Sequence, residues 1–340
     1  MRSLAIVPVE RASSSARPLT GTIERLQMAQ DQFHIPVLAN EIVELFASLE
    51  TGVVVDATLG GGGHTDAILA AARQLRVLGI DRDPDARRAA SARLEPFGER
   101  VHIVDATFAE LGEVISAHQH FLHGESVVGV LMDLGVSSHQ LDESTRGFSF
   151  RADAPLDMRM DPTKGETAAQ LIGRIDRHDL ARLLRENGET RFAGAIAKSI
   201  VDRQPQTTSE LTAAVEWAVP MAARRRGHVA TRVFQALRIT VNGEEEQLGR
   251  GLDAAIKVLS LGGVVAVISY HSGEDRTVKS VFHEAATGGC HCPVELGCVC
   301  GAVPVVRVFK ASAQLATAAE IQSNPRARSA RLRIARKLPS

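Results

Sequence analysis

Short, nearly continuous apolar runs alternate with helical stretches over the first part of the chain. The apolar runs are Val53–Val55, Val77–Ile80, Val101–Val104 and Val127–Met132, and the helical stretches between them include Ala67–Ala72 and Asp85–Leu94. Apolar strands separated by helices indicate a parallel sheet that is covered on both faces. The pattern therefore predicts an α/β fold with a doubly wound, mostly parallel sheet.

A long interruption separates the fourth apolar run from the next one, Val264–Ser269. A connection between parallel strands needs only one helix and short loops, but here it takes about 130 residues. The additional residues of this connection show helical patterns, and Thr207 and Thr208 are capping residues before one of the predicted helices. We therefore predict an inserted all-α domain at residues 141–240.

The remaining segments are assigned around this insertion. Residues 31–140 and 241–340 are predicted to form the domain that contains the sheet, with Val305–Phe309 and Ala330–Ala335 as a closing hairpin. Residues 1–30 show little periodicity and are predicted to be a disordered extension.

Composition and charge exclude several classes of protein. Hydrophobic residues make up 44% of the chain and charged residues 23%, as in ordinary globular proteins. No apolar run reaches the roughly 18 residues of a membrane span, so we expect a cytoplasmic protein without a membrane segment. The formal net charge of −1 means that any nucleic-acid binding must come from local basic patches.

Candidate chemistry lies at the ends of the predicted strands. The first strand leads through Asp56 into four consecutive glycines, Gly60–Gly63, and the next strands end at Asp81, Asp105 and Asp133. In open parallel sheets, ligands bind outside the carboxyl ends of the strands, and a glycine-rich first turn lets a nucleotide approach the backbone. We therefore predict a nucleotide-type site at this rim.

The rim alone does not identify the nucleotide. The turn lacks the Gly-Lys-Ser/Thr ending of a phosphate-binding Walker loop, but a dinucleotide remains open. Whichever nucleotide-like ligand binds, Asp81 is placed to accept hydrogen bonds from its ribose hydroxyls. Phe108 follows the third strand, where it could pack on a base or simply on the core.

The segment Asp133–Asp142, followed by Arg146–Phe150 and Pro155–Asp161, resembles the ribosomal small-subunit methyltransferase H family, also called the MraW family. The resemblance covers nearly the whole chain after residue 33. Further motifs are His34–Leu38 with Glu41, Gly79–Pro84, Gly188-Glu189 with Arg191–Ala193, Ala230–Ile239 with Val241-Asn242, His271–Arg276 and Asn324–Ser329. So many long motifs in one order are highly specific.

The resemblance implies a Rossmann-like class I methyltransferase that uses S-adenosylmethionine. It further implies methylation of the exocyclic N4 of one cytidine in the decoding region of 16S rRNA, so that the partner is this RNA or the small ribosomal subunit. The implied cofactor contacts are Gly62, Gly63, His64, Asp81, Phe108, Asp133 and Gln140.

Three positions depart from the family pattern. Gly273 stands where Leu is usual, Tyr270 where Phe is usual, and Glu245 where Leu is usual. These departures put in doubt only the shape of the rim after the last central strand and the end of the insertion.

Asp133 is the candidate catalytic residue, because a cytosine amine that becomes cationic during methyl transfer needs a nearby acceptor for its proton. Hydroxyl or carbonyl groups near Ser137 and Ser138 are the alternative acceptors. Two basic groups are candidates for RNA phosphate contacts: Arg224–Arg226 with Arg232 and Arg238, and the tail Arg326–Lys337.

The four cysteines form the pattern C-x-C-x5-C-x-C at Cys290, Cys292, Cys298 and Cys300. A structural zinc ion, a metal-free loop and a redox-labile pair all remain open, and we assign no metal to the active site. A homodimer also remains open. The alternatives for function are a methyltransferase with another acceptor, an RNA-binding assembly factor with a vestigial cofactor site, and a dehydrogenase.

Overall fold

The computed structural model describes residues 36–137, 140, 143–224, 229–293, 299–309 and 312–339. The predicted extension at residues 1–30 lies outside these ranges. All five predicted apolar runs form strands. The strands are β1 (Gly52–Asp56), β2 (Leu75–Asp81), β3 (Val101–Asp105), β4 (Val127–Asp133), β5 (Val264–Ser269), β6 (Val306–Val308), β7 (Gln314–Leu315) and β8 (Arg331–Lys337).

Helices alternate with the first strands and then fill the long connection between β4 and β5. They are α1 (Ala39–Ala47), α2 (Gly63–Ala71), α3 (Pro84–Leu94), α4 (Leu111–Ala117), α5 (Gln119–Leu122), α6 (Ala168–Arg174), α7 (Arg177–Glu186), α8 (Ala193–Arg203), α9 (Thr208–Ala218), α10 (Met221–Arg224), α11 (Val229–Asn242), α12 (Glu244–Val258), α13 (Ser272–Thr287) and α14 (Ala318–Ser323).

The strands form one sheet in the order β3-β2-β1-β4-β5-β8-β6, with β7 also paired to β8. Strands β1 to β5 are parallel, and the register pairs Asp81 with Asp105 and Asp133 with Ile268. The carboxyl ends of the central strands therefore meet at one rim, as predicted. The fold is the α/β, doubly wound, Rossmann-like fold that the sequence indicated.

The end of the chain closes the sheet differently from a simple hairpin. Strands β6 and β8 are antiparallel neighbours, as expected. However, β7 and α14 lie between them in sequence, and β8 also pairs antiparallel with β5. The predicted hairpin was therefore wrong in its connection, because the second strand enters between β5 and β6.

Both faces of the sheet are covered. In β1, Val53 and Val55 belong to one hydrophobic cluster and Val54 to another, since successive side chains point to opposite faces. Leu248 and Leu252 of α12 pack in the first of these clusters. None of the described helices is long and apolar enough to cross a membrane.

The described residues of the predicted insertion are largely helical and have a hydrophobic cluster of their own. Leu171, Leu184, Ile196 and Leu237 are fully buried members of this cluster. Thr207 caps α9 by accepting a hydrogen bond from the backbone of Glu210, as its position in the sequence suggested. The limits 141–240 for a separate domain remain a prediction.

Candidate cofactor and active site

The turn after β1 is held by a buried carboxylate. Asp56 accepts hydrogen bonds from Thr58 N (3.3 Å) and from Thr65 Oγ1 (2.7 Å), and burial raises the pKa of this carboxyl. The first bond shapes the loop directly after β1, and the second ties the end of β1 to the first turn of α2. The backbone that follows β1 is therefore fixed before any ligand arrives.

The glycines of this turn serve two purposes. Gly62 has φ +77°, and a Cβ there would lie 3.0 Å from the Leu94 side chain, while a Cβ on Gly63 would lie 2.9 Å from Pro36. Close packing around the turn thus requires glycine at both of these predicted contact positions. Gly60 also has a positive φ, of +51°, but its missing side chain faces a wider space toward Ser137.

Asp81 ends β2 and links two loops of the rim. It accepts hydrogen bonds from the backbone N–H of Gly60 and of Asp83, both at 2.8 Å. Burial raises the pKa of this carboxyl to about 6. Each carboxylate oxygen has a further lone pair, so the ionised group can still accept hydrogen bonds from ribose hydroxyls.

Asp133 lies at the end of β4 between two side chains from other elements. Its Oδ1 accepts a hydrogen bond from the Tyr270 hydroxyl at 2.8 Å, and its Oδ2 lies 3.5 Å from His64 Nε2. The backbone N–H of Asp133 donates to Thr58 Oγ1 at 2.6 Å. The carboxylate is thus oriented from both sides while a quarter of its side chain stays exposed.

His64, in the first turn of α2, is 7% exposed, yet neither of its ring nitrogens has a hydrogen-bond partner. The approach to Asp133 is close enough for an ion pair, but it does not satisfy the geometry of a hydrogen bond. A buried polar group without a partner is costly. His64 therefore fits a ligand that supplies the missing partner.

Gln140 is buried and joins the loops after β2 and β4. Its Nε2 donates to Asp83 Oδ2 at 2.8 Å, and its Oε1 accepts from Ser137 N at 3.0 Å. Asp83 also accepts from Arg146 at 3.2 Å, and Arg146 donates to the carbonyl of Met160 at 2.8 Å. Gln140 thus lies at the predicted rim, where its side chain fixes the loops.

Phe108 is half-buried and packs on the core. A Cβ on Gly251 would lie 2.7 Å from its ring and 3.3 Å from Met132. Its contact with a base remains a prediction. The neighbouring Asp105 is exposed and forms a two-pronged ion pair with Arg87, at 2.9 and 3.0 Å.

Sequence reasoning missed the contacts that Asp83, Arg146 and Tyr270 make at the rim. Asp83 precedes Pro84 and caps α3, which is a recognisable pattern for a helix start. The pairing of Asp83 with Arg146, 63 residues later, has no local pattern. Tyr270 was noted as a departure, but its partner Asp133 is 137 residues away.

Several basic residues that were candidates for RNA contacts are used inside the protein. Arg232 pairs with the buried Glu189 at 2.7 Å, and Arg238 pairs with Glu244 at 2.8 Å. In the tail, Arg331 and Arg333 both bind Asp275. Arg336 and Lys337 donate to backbone carbonyls, those of Gly262 and Ile256. Arg225 and Arg226 lie outside the described residues.

A doubly wound sheet whose glycine turn and strand-end carboxylates share one rim defines a protein that binds a nucleotide-like cofactor. The chain matches the MraW methylase family over residues 31–338. It is 46% identical over 312 residues to a protein of Heliobacterium modesticaldum named "Ribosomal RNA small subunit methyltransferase H", and the match covers 90% of this chain and 98% of that one.

Two further relatives carry the same name. The protein of Geobacter sulfurreducens is 47% identical over 312 residues, covering 90% of this chain and 99% of that one. The protein of Saccharopolyspora erythraea is 47% identical over 315 residues, covering 90% and 93%. The chain therefore belongs to the MraW methylase family. It is a methyltransferase with S-adenosylmethionine as methyl donor, which sets aside the dehydrogenase alternative.

The rim fits this cofactor. Asp81 has acceptor capacity left for ribose hydroxyls, and the unpartnered nitrogens of His64 await a polar group. The N-terminus of α2, which begins at Gly63, presents backbone N–H groups that suit a carboxylate. Together these groups provide an acceptor for the ribose hydroxyls of the cofactor and donors for its carboxylate.

Proposed function

We propose that this protein transfers a methyl group to the exocyclic N4 of one cytidine in the decoding region of 16S rRNA. The names of the relatives support an RNA of the small ribosomal subunit. The choice of N4 and of the decoding region rests on the resemblance of the motifs from Asp133 to Asp161. The observation that carries the chemistry is the carboxylate of Asp133: its Oδ1 accepts a hydrogen bond from the Tyr270 hydroxyl, while its Oδ2 lies 3.5 Å from His64 Nε2 and retains acceptor capacity.

The cofactor contacts are part of the proposal. Gly62, Gly63 and His64 surround the start of α2, and Asp81 takes the ribose hydroxyls. Asp133 faces the reacting end of the cofactor. Phe108 lies on the side of β3, where its ring would border the base. Gln140 acts by holding the loop after β4 in place through Asp83.

When bound, S-adenosylmethionine supplies a methyl group on a positively charged sulfur. Asp133 Oδ1 is occupied by the Tyr270 hydroxyl, so Oδ2 is the oxygen that can accept a hydrogen bond from the N4 amine. This bond would align the nitrogen for in-line attack. After attack the nitrogen is cationic and strongly acidic, so the same carboxylate can accept its proton without being a strong base.

The cytidine must leave its neighbours to reach this carboxylate, because a base in folded RNA is stacked and paired. The helices between β4 and β5 are the part of the chain that would hold the RNA. Phe150 is 47% exposed and its ring contacts Phe234 edge-on at 5.4 Å. It follows Arg146 of the rim by four residues, so it is placed to stack on an unpaired base.

The decisive experiment uses small ribosomal subunits from cells that lack this gene. The purified protein is given S-adenosylmethionine with a labelled methyl group, and the RNA is then digested to nucleosides. N4-methylated cytidine from a single site is the expected product. Label in another nucleoside, or in a ribosomal protein, would overturn the assignment and leave the cofactor site intact. Naked 16S rRNA in parallel shows whether the assembled subunit is required.

A further inference from the structure

The cysteines of the chain are gathered in one loop. All four lie between residues 290 and 300, and the rest of the chain has none. Cys298 lies outside the described residues. The sulfur atoms of the other three, Cys290, Cys292 and Cys300, all lie within 4.8 Å of one another, and these three form no disulfide.

This spacing is close to that of a thiolate metal site. Zinc binds sulfur at about 2.3 Å in a tetrahedron, which sets its sulfur ligands about 3.8 Å apart.

The described residues of this loop contribute little to the hydrophobic core. Between the end of α13 at Thr287 and the start of β6 at Val306, no described residue is buried. Val299 and Val303 are 85% and 61% exposed. Fixing such a segment in one conformation costs conformational entropy at each residue. Segments without a core commonly rely on a disulfide or a metal.

We propose that Cys290, Cys292 and Cys300 bind one structural zinc ion as thiolates, each releasing its proton. The fourth position of the tetrahedron belongs to a ligand outside these three. The ion would fasten the two ends of the loop to each other. It would thereby hold Cys290 and Cys292, which follow α13, against Cys300, which precedes β6.

The site lies away from the cofactor rim. Helix α13 begins at Ser272, directly after the carboxyl end of β5, and its 16 residues span about 24 Å. The cysteine loop follows the other end of this helix. The role of the ion is therefore in stability and not in methyl transfer, and failure of this proposal would leave the proposed function untouched.

Metal analysis of the full chain tests the proposal. The protein is purified with a thiol reductant, incubated with Zn²⁺ and freed of excess metal. We expect one zinc per chain by mass spectrometry and zinc–sulfur distances near 2.3 Å by X-ray absorption. Less than a tenth of an equivalent, or a disulfide that forms in place of zinc binding, would overturn the proposal.

Substitutions locate the ion. Cys292→Ser should lose most of the zinc, whereas His291→Ala should keep it, since the His291 ring is not part of the sulfur group. Removal of zinc by a chelator should lower the melting temperature of the wild type and leave the affinity for S-adenosylmethionine unchanged within about twofold. Full zinc content in Cys292→Ser, or a melting temperature unaffected by the chelator, would contradict the assignment.

Discussion

The rim of the sheet and the strand β8 both carry many charged side chains, but they use them in opposite ways. At the rim, the carboxylates of Asp81 and Asp133 accept protein hydrogen bonds and still have free acceptor capacity. In β8, Arg331 and Arg333 both form ion pairs with Asp275. The rim is prepared for a ligand, whereas the charges of β8 are engaged within the fold.

The difference shows that basic residues clustered in a sequence can be engaged by partners within the protein itself. The basic tail looked like a phosphate-binding segment, because six of its twelve residues from Arg326 to Lys337 are basic. In the structure its second part, Arg331–Lys337, is a strand inside the sheet, and the four cations of that strand have acidic or carbonyl partners within the protein. The carboxylates of the rim are separated in sequence but converge in space.

The largest effect should come from the open carboxylate of the rim. Asp133→Asn keeps the shape of the side chain but removes its charge, and we expect methyl transfer to fall by at least about 100-fold. Asp105→Asn is the matched control, since Asp105 ends the nearby strand β3 but is exposed and paired with Arg87. Its activity should stay within about twofold. Single-turnover transfer of labelled methyl measures both, and retention of most activity by Asp133→Asn would remove Asp133 from the mechanism.

The next largest effect should come from the buried ion pair between Arg146 and Asp83. Arg146→Ala leaves Asp83, which is fully buried, without a cation, and we expect a loss of about 3 kcal/mol in the free energy of unfolding. Arg88→Ala removes an exposed ion pair with Asp85 and should cost less than about 0.5 kcal/mol. Chemical denaturation of both variants gives the comparison. Equal losses of unfolding free energy in the two variants would show that burial does not determine how much these ion pairs contribute to stability.

A smaller effect should appear with pH. The pKa of Asp81 is raised to about 6, so the carboxyl takes up a proton as the pH falls through this value. In the proposed site the ionised carboxylate of Asp81 accepts hydrogen bonds from the ribose, so we expect the affinity for S-adenosylmethionine to fall toward pH 5. Because the folded-state pKa lies above the unfolded value, this group favours folding at low pH and loses that contribution as the pH rises from about 4 to 6.

Titration calorimetry at several pH values tests this prediction. The affinity of the wild type should drop below pH 6, whereas that of Asp81→Asn should be weaker throughout and nearly independent of pH. An affinity of the wild type that stays constant from pH 7.5 to 5 would show that the charge of Asp81 is not used by the cofactor.

The smallest effect is expected in β8. Arg331→Ala leaves Arg333 on Asp275, so the affinity for small-subunit RNA should change by less than about twofold. Phe150→Ala provides the contrast within the insertion, with an expected loss of about fivefold if the ring stacks on a base. Filter binding at two salt concentrations measures both. A large loss in Arg331→Ala with a reduced salt slope would restore the tail as a phosphate contact.

The sheet was predictable because its strands have a local pattern. Val53–Val55 and Val264–Ser269 are continuous apolar runs, and each predicted run became a strand of the sheet. The position of Asp133 at the rim was also predictable, because the carboxyl ends of parallel strands meet at one edge of the sheet. The hydroxyl of Tyr270 on Asp133 could not be predicted, since it depends on the side-by-side placement of β4 and β5.

The same limit applies to the links between loops. Gln140 and Arg146 converge on Asp83 only because the segment after β4 folds back over the loop after β2. Asn242, the last residue of α11, fixes this segment by accepting a hydrogen bond from Met160 N at 2.8 Å. Contacts over 60 to 80 residues leave no periodic trace in a single sequence.

The place of β8 in the sheet has a consequence for synthesis of the protein. One edge of β5 is completed only by β8, whose first residue Arg331 pairs with Ser269, about 60 residues earlier in the chain. At roughly 5–20 residues per second, a ribosome needs several seconds to make that stretch. During this interval the apolar strand Val264–Ser269 presents an unpaired edge, which is a template for association with other chains. The nascent protein is therefore most vulnerable to aggregation just before its last strand emerges.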